Sequence, residues 1–181
     1  MSTSHTQKAR LKFNRPSLRA RARPPKQRTS LGQAFTSANL NCTLALQHCC
    51  HCQGVQYPPR ELCHNCLSDD LQWQETQNTG RILSQTELHH SQWEFFKRKL
   101  LEKPWAIASI KLDCGVTVFS HLAIANPTAG SAIKVFTHRD ASLNSVIIAV
   151  AVDVEIETIK QRLAIAQSLG LTEPAVKQGG I

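Results

Sequence analysis

The residues best suited to chemistry are two C-x-x-C pairs, Cys49/Cys52 and Cys63/Cys66, separated by ten residues. A two-residue spacer lets one tight turn aim two sulfurs at a single ion, and four thiolates complete a tetrahedral zinc shell. The competing readings are unligated core thiols or disulfides. The short double spacing favours a metal, as does the absence of an apolar leader after Met1. Cys50, His48, His51 and His64 are further donors nearby. His51 and His64 lie inside the knuckles, where side chains point away from the ion, and a Cys50–Cys52 pairing has a one-residue spacer that suits one metal poorly. The predicted set is therefore Cys49, Cys52, Cys63 and Cys66. Four protein ligands leave no position for water, so the site is structural, with one Zn2+ per chain. Iron is the alternative ion for four thiolates.

A second constellation is Asp113, Cys114 and His121, which brings a nucleophile, a base and an acid into one predicted hairpin. Asp113-Cys114-Gly115 reads as its turn, and a free cysteine commonly serves as a small buried hydrophobe. Cys114 is expected to pack, and His89-His90 to be a loop pair. No catalytic residue is assigned, and the chain is not expected to be an enzyme on its own.

Four segments would have to position these groups. Residues 1–38 read as a disordered basic tail, 39–70 as the zinc ribbon, 71–154 as a β-barrel domain and 155–181 as a C-terminal helix and tail. Ala34 to Leu46 forms a short helix or extended lead-in, and Pro58-Pro59 disfavours helix between the knuckles. Alternation starts at Leu71. Strands are predicted at Arg81–Leu88, Trp105–Leu112, Val116–Leu122, Ser131–Phe136 and Val146–Val154, the last apolar enough to be buried on both faces. His89 to Pro104 reads as a loop or short helix. Strands this short and close imply a small barrel or sandwich, of which the five-stranded OB barrel is one form. From Glu155 to Leu169 the period becomes helical, with Ile156, Ile159, Leu163, Ala166 and Leu169 as the apolar stripe and Gly170 as the stop.

The chain has 181 residues and a formal charge of +8. Residues 1–40 hold nine of the 21 Lys/Arg residues and no acid, leaving 12 basic and 13 acidic groups in the rest. The excess charge is thus a property of the tail, and a chain-wide basic groove for nucleic acid is not indicated. Residues 1–35 are too polar to offset their ordering entropy; they could serve as a nucleic-acid arm or a transit peptide. The longest apolar run, Val146 to Val152, is far shorter than the ~20 residues of a membrane span. Seven cysteines in such a chain suit a reducing, cytoplasmic location.

Leu46-Gln47-His48-Cys49-x-x-Cys52, Tyr57-Pro58-Pro59-Arg60 and Cys63-x-x-Cys66 together resemble the zinc-ribbon/OB-fold proteins called domain of unknown function 35. The likeness continues through Trp73, Gly80 and Leu112-Asp113 before Gly115, covering about residues 40–153. Gln53 stands where that family commonly has glycine, His64 where it often has proline, and Ala129-Gly130-Ser131 weakens its glycine segment. The resemblance implies a mainly β fold, a rubredoxin-like zinc ribbon followed by an OB-fold barrel. It also implies an accessory subunit that docks on a thiolase-fold acyltransferase or acyl-CoA lyase and binds acyl-CoA. Arg81, Lys111, Lys134 and Arg139, on or beside the predicted strands, are the candidate contacts to the CoA phosphates. The alternative is a nucleic-acid-binding protein acting through its basic arm.

Overall fold

The computed structural model describes residues 28–40, 43–140 and 143–172. The basic arm up to residue 27 and the end from residue 173 lie outside these, and so does the disorder expected there. Where the description begins, that expectation is corrected. Helix α1, Ser30–Ala38, starts inside the stretch read as disordered; Thr29 caps it by accepting from the Gly32 N–H. Phe35 anchors it, packing at 5.8 Å from the Tyr57 ring and 6.0 Å from Trp73. The helical lead-in expected over Ala34–Leu46 thus starts four residues earlier and ends at Ala38.

Asn39 ends α1 and its amide bridges to Ala45, donating to the Ala45 carbonyl at 3.0 Å and accepting from its N–H at 2.7 Å. This feeds the chain into β1, Ala45–Cys49. With β2, Val55–Gln56, and β3, Leu71–Glu75, it forms an antiparallel sheet in the order β2-β1-β3. The sequence pattern begins the barrel at Leu71. The strand that starts there instead pairs with β1 along its length, from Cys49↔Leu71 to Ala45↔Glu75. Alternation reports which face is buried, not which strand lies alongside.

Five strands follow: β4, Thr79–Leu88; β5, Trp105–Leu112; β6, Thr117–Leu122; β7, Ala132–Arg139; and β8, Ser145–Ala151. They close in the circuit β4-β5-β6-β8-β7, antiparallel except for the β6–β8 contact at His121↔Ile148 and Leu122↔Ala149. This is the OB barrel, so the sandwich alternative falls away. Gly80 permits the closure: a Cβ there would sit 2.4 Å from the Lys111 carbonyl.

Two apolar clusters result. Inside the barrel, Ile82, Ile110, Leu112, Val118, Ile133 and Val135 pack with Leu44 and Leu46 of the ribbon's approach. Outside, Phe136, Ile148 and Val150 are covered by Ile156, Ala166 and Leu171. β8 is therefore buried on both faces, as its unbroken apolar run requires. Helix α3, Ile159–Ser168, provides the cover and starts at a capping box of Thr158 and Gln161. Its expected stripe is partly corrected. Ile156 and Ala166 are buried and Leu169 packs against them, but Ile159 is 82% and Leu163 40% exposed, so α3 covers the sheet through its C-terminal end and not along the whole stripe. In the β4–β5 connection a further helix, α2, spans Glu94–Glu102. No helix among the described residues is long and apolar enough to cross a membrane.

Candidate metal centre and groove

Both knuckles are built by one local device. The Gln53 N–H donates to the Cys49 carbonyl at 2.9 Å, and the Leu67 N–H donates to the Cys63 carbonyl at 3.0 Å. Each turn closes on a residue in the left-handed region, Gln53 at φ 60° and Leu67 at φ 61°. That conformation favours glycine, which explains physically why glycine suits the position held here by Gln53. Gln53 donates from Nε2 to the Cys50 carbonyl at 3.0 Å. At Gly54 a Cβ would lie 3.3 Å from the Cys52 sulfur and 2.8 Å from the Asn65 amide nitrogen, so the backbone itself packs against the ligand.

The four sulfurs of Cys49, Cys52, Cys63 and Cys66 all lie within 4.8 Å of one another. The Cys49–Cys66 and Cys52–Cys63 separations are both 3.5 Å. A tetrahedral zinc with bonds of ~2.3 Å sets sulfurs about 3.8 Å apart, so the cluster fits one ion. The N–H groups of Cys66 and Asn65 hold the Cys63 thiol down to about 6, against the opposing effect of burial. The Ser68 N–H pulls Cys66 down, but burial and the other three sulfurs outweigh it and push that thiol up to about 12. Binding a cation displaces the protons these thiols still hold.

Three of the remaining donors, His48, His64 and Cys50, have partners outside the cluster. His48 Nε2 meets Thr76 Oγ1 at 2.9 Å, and burial lowers its pKa. His64 Nδ1 meets Gln56 Oε1 at 3.1 Å. The Cys50 thiol is raised by burial and by Asp70. Two buried amides the sequence reading did not single out brace the knuckles. Gln47 accepts from the Arg60 N–H at 2.8 Å and donates to the Arg60 carbonyl at 3.0 Å, treating the Pro-Pro-Arg loop as a strand would. Gln56 donates to Gln47 Oε1 at 3.0 Å and accepts from the His64 N–H at 3.0 Å, linking β1 and β2 to the second knuckle.

A groove of about 1060 Å³ opens at one end of the barrel. β7 begins at Ala132, opposite Arg81, so past Ile82, which still bonds to Gly130 and Ser131, β4 has no β7 residue beside it. Beyond that point the 123–128 loop faces β4, tied by the Gln85 amide donating to the Pro127 carbonyl at 2.5 Å. Lys99 and Lys103 from the α2 side, Trp105, His121 and the end of α3 complete the lining. Trp105 meets His121 edge-on at 5.0 Å and Phe96 at 5.9 Å, which stiffens the wall.

None of the basic residues singled out from sequence lines this groove. Arg81 and Lys111 sit opposite each other on adjacent strands, and Lys134 pairs with Thr79, so these three share the outer barrel wall. Arg139 is at the other end of β7, paired with Ser145. Lys99 and Lys103 had only proximity to a predicted helix to mark them. The Asp113, Cys114, His121 trio does not assemble: Cys114 is in the hairpin tip and packs on the barrel core, while His121 pairs with Ile107 near the other end. His89 pairs with Glu87 at 3.2 Å.

Residues 43–72 match the family described as the ChsH2 rubredoxin-like zinc ribbon domain. Among solved structures, one described as the Ltp2–ChsH2(DUF35) aldolase superposes with a TM-score of 0.56 at 23% identity, over 69% of this chain and 96% of that one. A DUF35-family protein of unknown function from Sulfolobus solfataricus is 16% identical, with a TM-score of 0.41 over 67% of this chain and 82% of its own. No curated protein matches the sequence.

Proposed function

We propose that this chain, a DUF35-type protein whose ribbon is a ChsH2-type structural zinc site and whose ribbon and barrel share the DUF35 fold, is a non-catalytic subunit. It docks on a thiolase-type acyltransferase or acyl-CoA lyase and holds the acyl-CoA thioester for it. The observation that carries the reading is the ribbon-then-barrel order, together with a ribbon matched in sequence, in the same fold as a chain described as part of an Ltp2–ChsH2 aldolase. The groove supports the ligand half. Its volume, about 1060 Å³, is of the size small-molecule sites require. Trp105, Leu122 and Ile124 offer an apolar floor, and Lys99 and Lys103 place two cations where CoA phosphates would be neutralised. The zinc orders the ribbon and takes no part in the reaction, because four thiolates saturate its shell.

The test is co-expression of the full chain with the thiolase-type enzyme of the same genome, followed by gel filtration and titration with acetyl-CoA and longer acyl-CoA thioesters. A stable complex whose CoA affinity drops about tenfold or more in a Lys99→Glu/Lys103→Glu variant supports the reading, since each lost charged contact is worth ~1.5–3 kcal/mol. A chain that neither joins the enzyme nor binds a CoA ester overturns it.

A further inference from the structure

The outer wall of β4, β5 and β6 leaves apolar and basic side chains exposed among the described residues. The register places Ser84, Ser109 and Phe119 in one row across it. A bulge between Ile82 and Ser84 adds Leu83 beside that row. Phe119 is 72% exposed and Leu83 51% exposed, in mid-strand positions on a barrel whose inward neighbours are fully buried. The next row toward the hairpin tip is Arg81, Lys111 and Thr117, with Lys134 on the adjoining strand. Arg81 donates to the Gly130 carbonyl at 3.2 Å and Lys111 to the Gly115 carbonyl. Among the described residues, none of these three cations forms an ion pair with a carboxylate. The carboxylate at that end, Asp113, is engaged by Thr79 Oγ1 at 2.5 Å. The wall is therefore an apolar centre with a basic flank, on a chain whose residues beyond position 40 are near neutral.

We infer that this wall is the docking surface for the partner enzyme, whose complementary surface has an apolar pocket sized for Phe119 and carboxylates facing Arg81 and Lys111. The inference rests on the subunit reading above and gives it a location. Charge selects the occupant. A second copy of this chain would bring basic flank against basic flank. A single-stranded nucleic acid stacks its bases on successive aromatic faces, but this row offers one free aromatic beside an aliphatic, and Trp105 and His121 already meet edge-on at 5.0 Å. An aromatic anchor entering a pocket beside a charged flank is the composition of a protein interface.

The experiment measures the affinity of the full chain for the co-expressed thiolase-type enzyme. Phe119→Asp lowers it at least ~30-fold, the effect of losing a central aromatic anchor. Arg81→Glu/Lys111→Glu lowers it at least ~10-fold in low salt, and the loss shrinks as salt rises. Arg139→Glu leaves it unchanged. Zinc content and melting temperature verify that each variant is folded, with Phe119→Ser as the milder replacement. An enzyme complex insensitive to both wall variants overturns the inference while the subunit reading stands. If the wild-type chain forms no such complex, the subunit reading fails and overturns the inference with it.

Discussion

The ribbon and the barrel solve the same problem with different physics. The barrel closes around side chains that need no partner beyond contact: Ile82, Ile110, Ile133 and Val135 are all at or near zero exposure. The ribbon has a three-stranded sheet, one strand only two residues long, and its interior is polar. Gln47 and Gln56 are each 4% exposed, and of the four clustered thiols Cys49 and Cys63 are buried beside them while Cys52 reaches the surface. A core of amides and sulfurs is stable only if each group has its partner, and for the sulfurs that partner is an ion. The barrel should therefore tolerate graded damage, and the ribbon should fail as a unit.

Removing the metal tests this difference most severely. Cys63→Ser, or a strong chelator, should abolish hydrogen-exchange protection in β1 and β3 while β5 and β8 keep theirs, since structural zinc supplies ~10–16 kcal/mol to sites of this kind. Simultaneous loss in β8 would show that the two regions form one cooperative unit through Leu44, Leu46 and Phe35. Acid should act through the same centre. Cys63 titrates near 6 in the metal-free cluster, below its ordinary 9.0, so its thiolate contribution is present at higher pH and is lost as pH falls through 6. Cys66, pushed to about 12, still holds a proton that zinc must displace at neutral pH. Zinc affinity, read by chelator competition, should fall on acidification and fall more steeply below about pH 6.

Damage to the barrel should look different. Ile110→Ala should cost about 2–5 kcal/mol in denaturant unfolding, the usual price of such a cavity, with zinc content unchanged. Gln47→Leu should cost a comparable or smaller ~1–3 kcal/mol by stranding the Arg60 N–H and carbonyl, but it should also speed zinc release, because the loop it braces carries the second knuckle. Equal zinc off-rates in Gln47→Leu and wild type would sever that link. The smallest effect is expected at Gln53→Gly. Relief of a left-handed conformation, ~1 kcal/mol, is offset by greater chain entropy and the lost bond to Cys50, so melting should move by a few degrees at most.

The parts legible in sequence were those carried by short-range spacing. The cysteines at 49, 52, 63 and 66 showed their turn because a two-residue spacer constrains the backbone directly; the left-handed backbone at Gln53 came only with the structure. The barrel strands showed through alternation, and β8 through its unbroken apolar run. α1 was legible only as a helical or extended lead-in from Ala34; its true start at Ser30 rests on one capping threonine beside a basic stretch. Arg81, Lys111, Lys134 and Arg139 were chosen for lying on strands. The folded chain puts three of them on an outer wall and gives the groove to Lys99 and Lys103 instead.

The sequence by itself determined which four cysteines cluster to fit one zinc, the order of ribbon before barrel and the two-sided burial of the last strand. Each follows from residue types within a few positions of one another, where the covalent chain sets the geometry. The tertiary structure alone decided that Leu71–Glu75 completes the ribbon, that β7 begins only opposite Arg81 so that a groove lies beside the rest of β4, and that Phe119 stands uncovered beside two cations. Those outcomes depend on which distant strand lies alongside, and a strand's own alternation carries its face but not its neighbour.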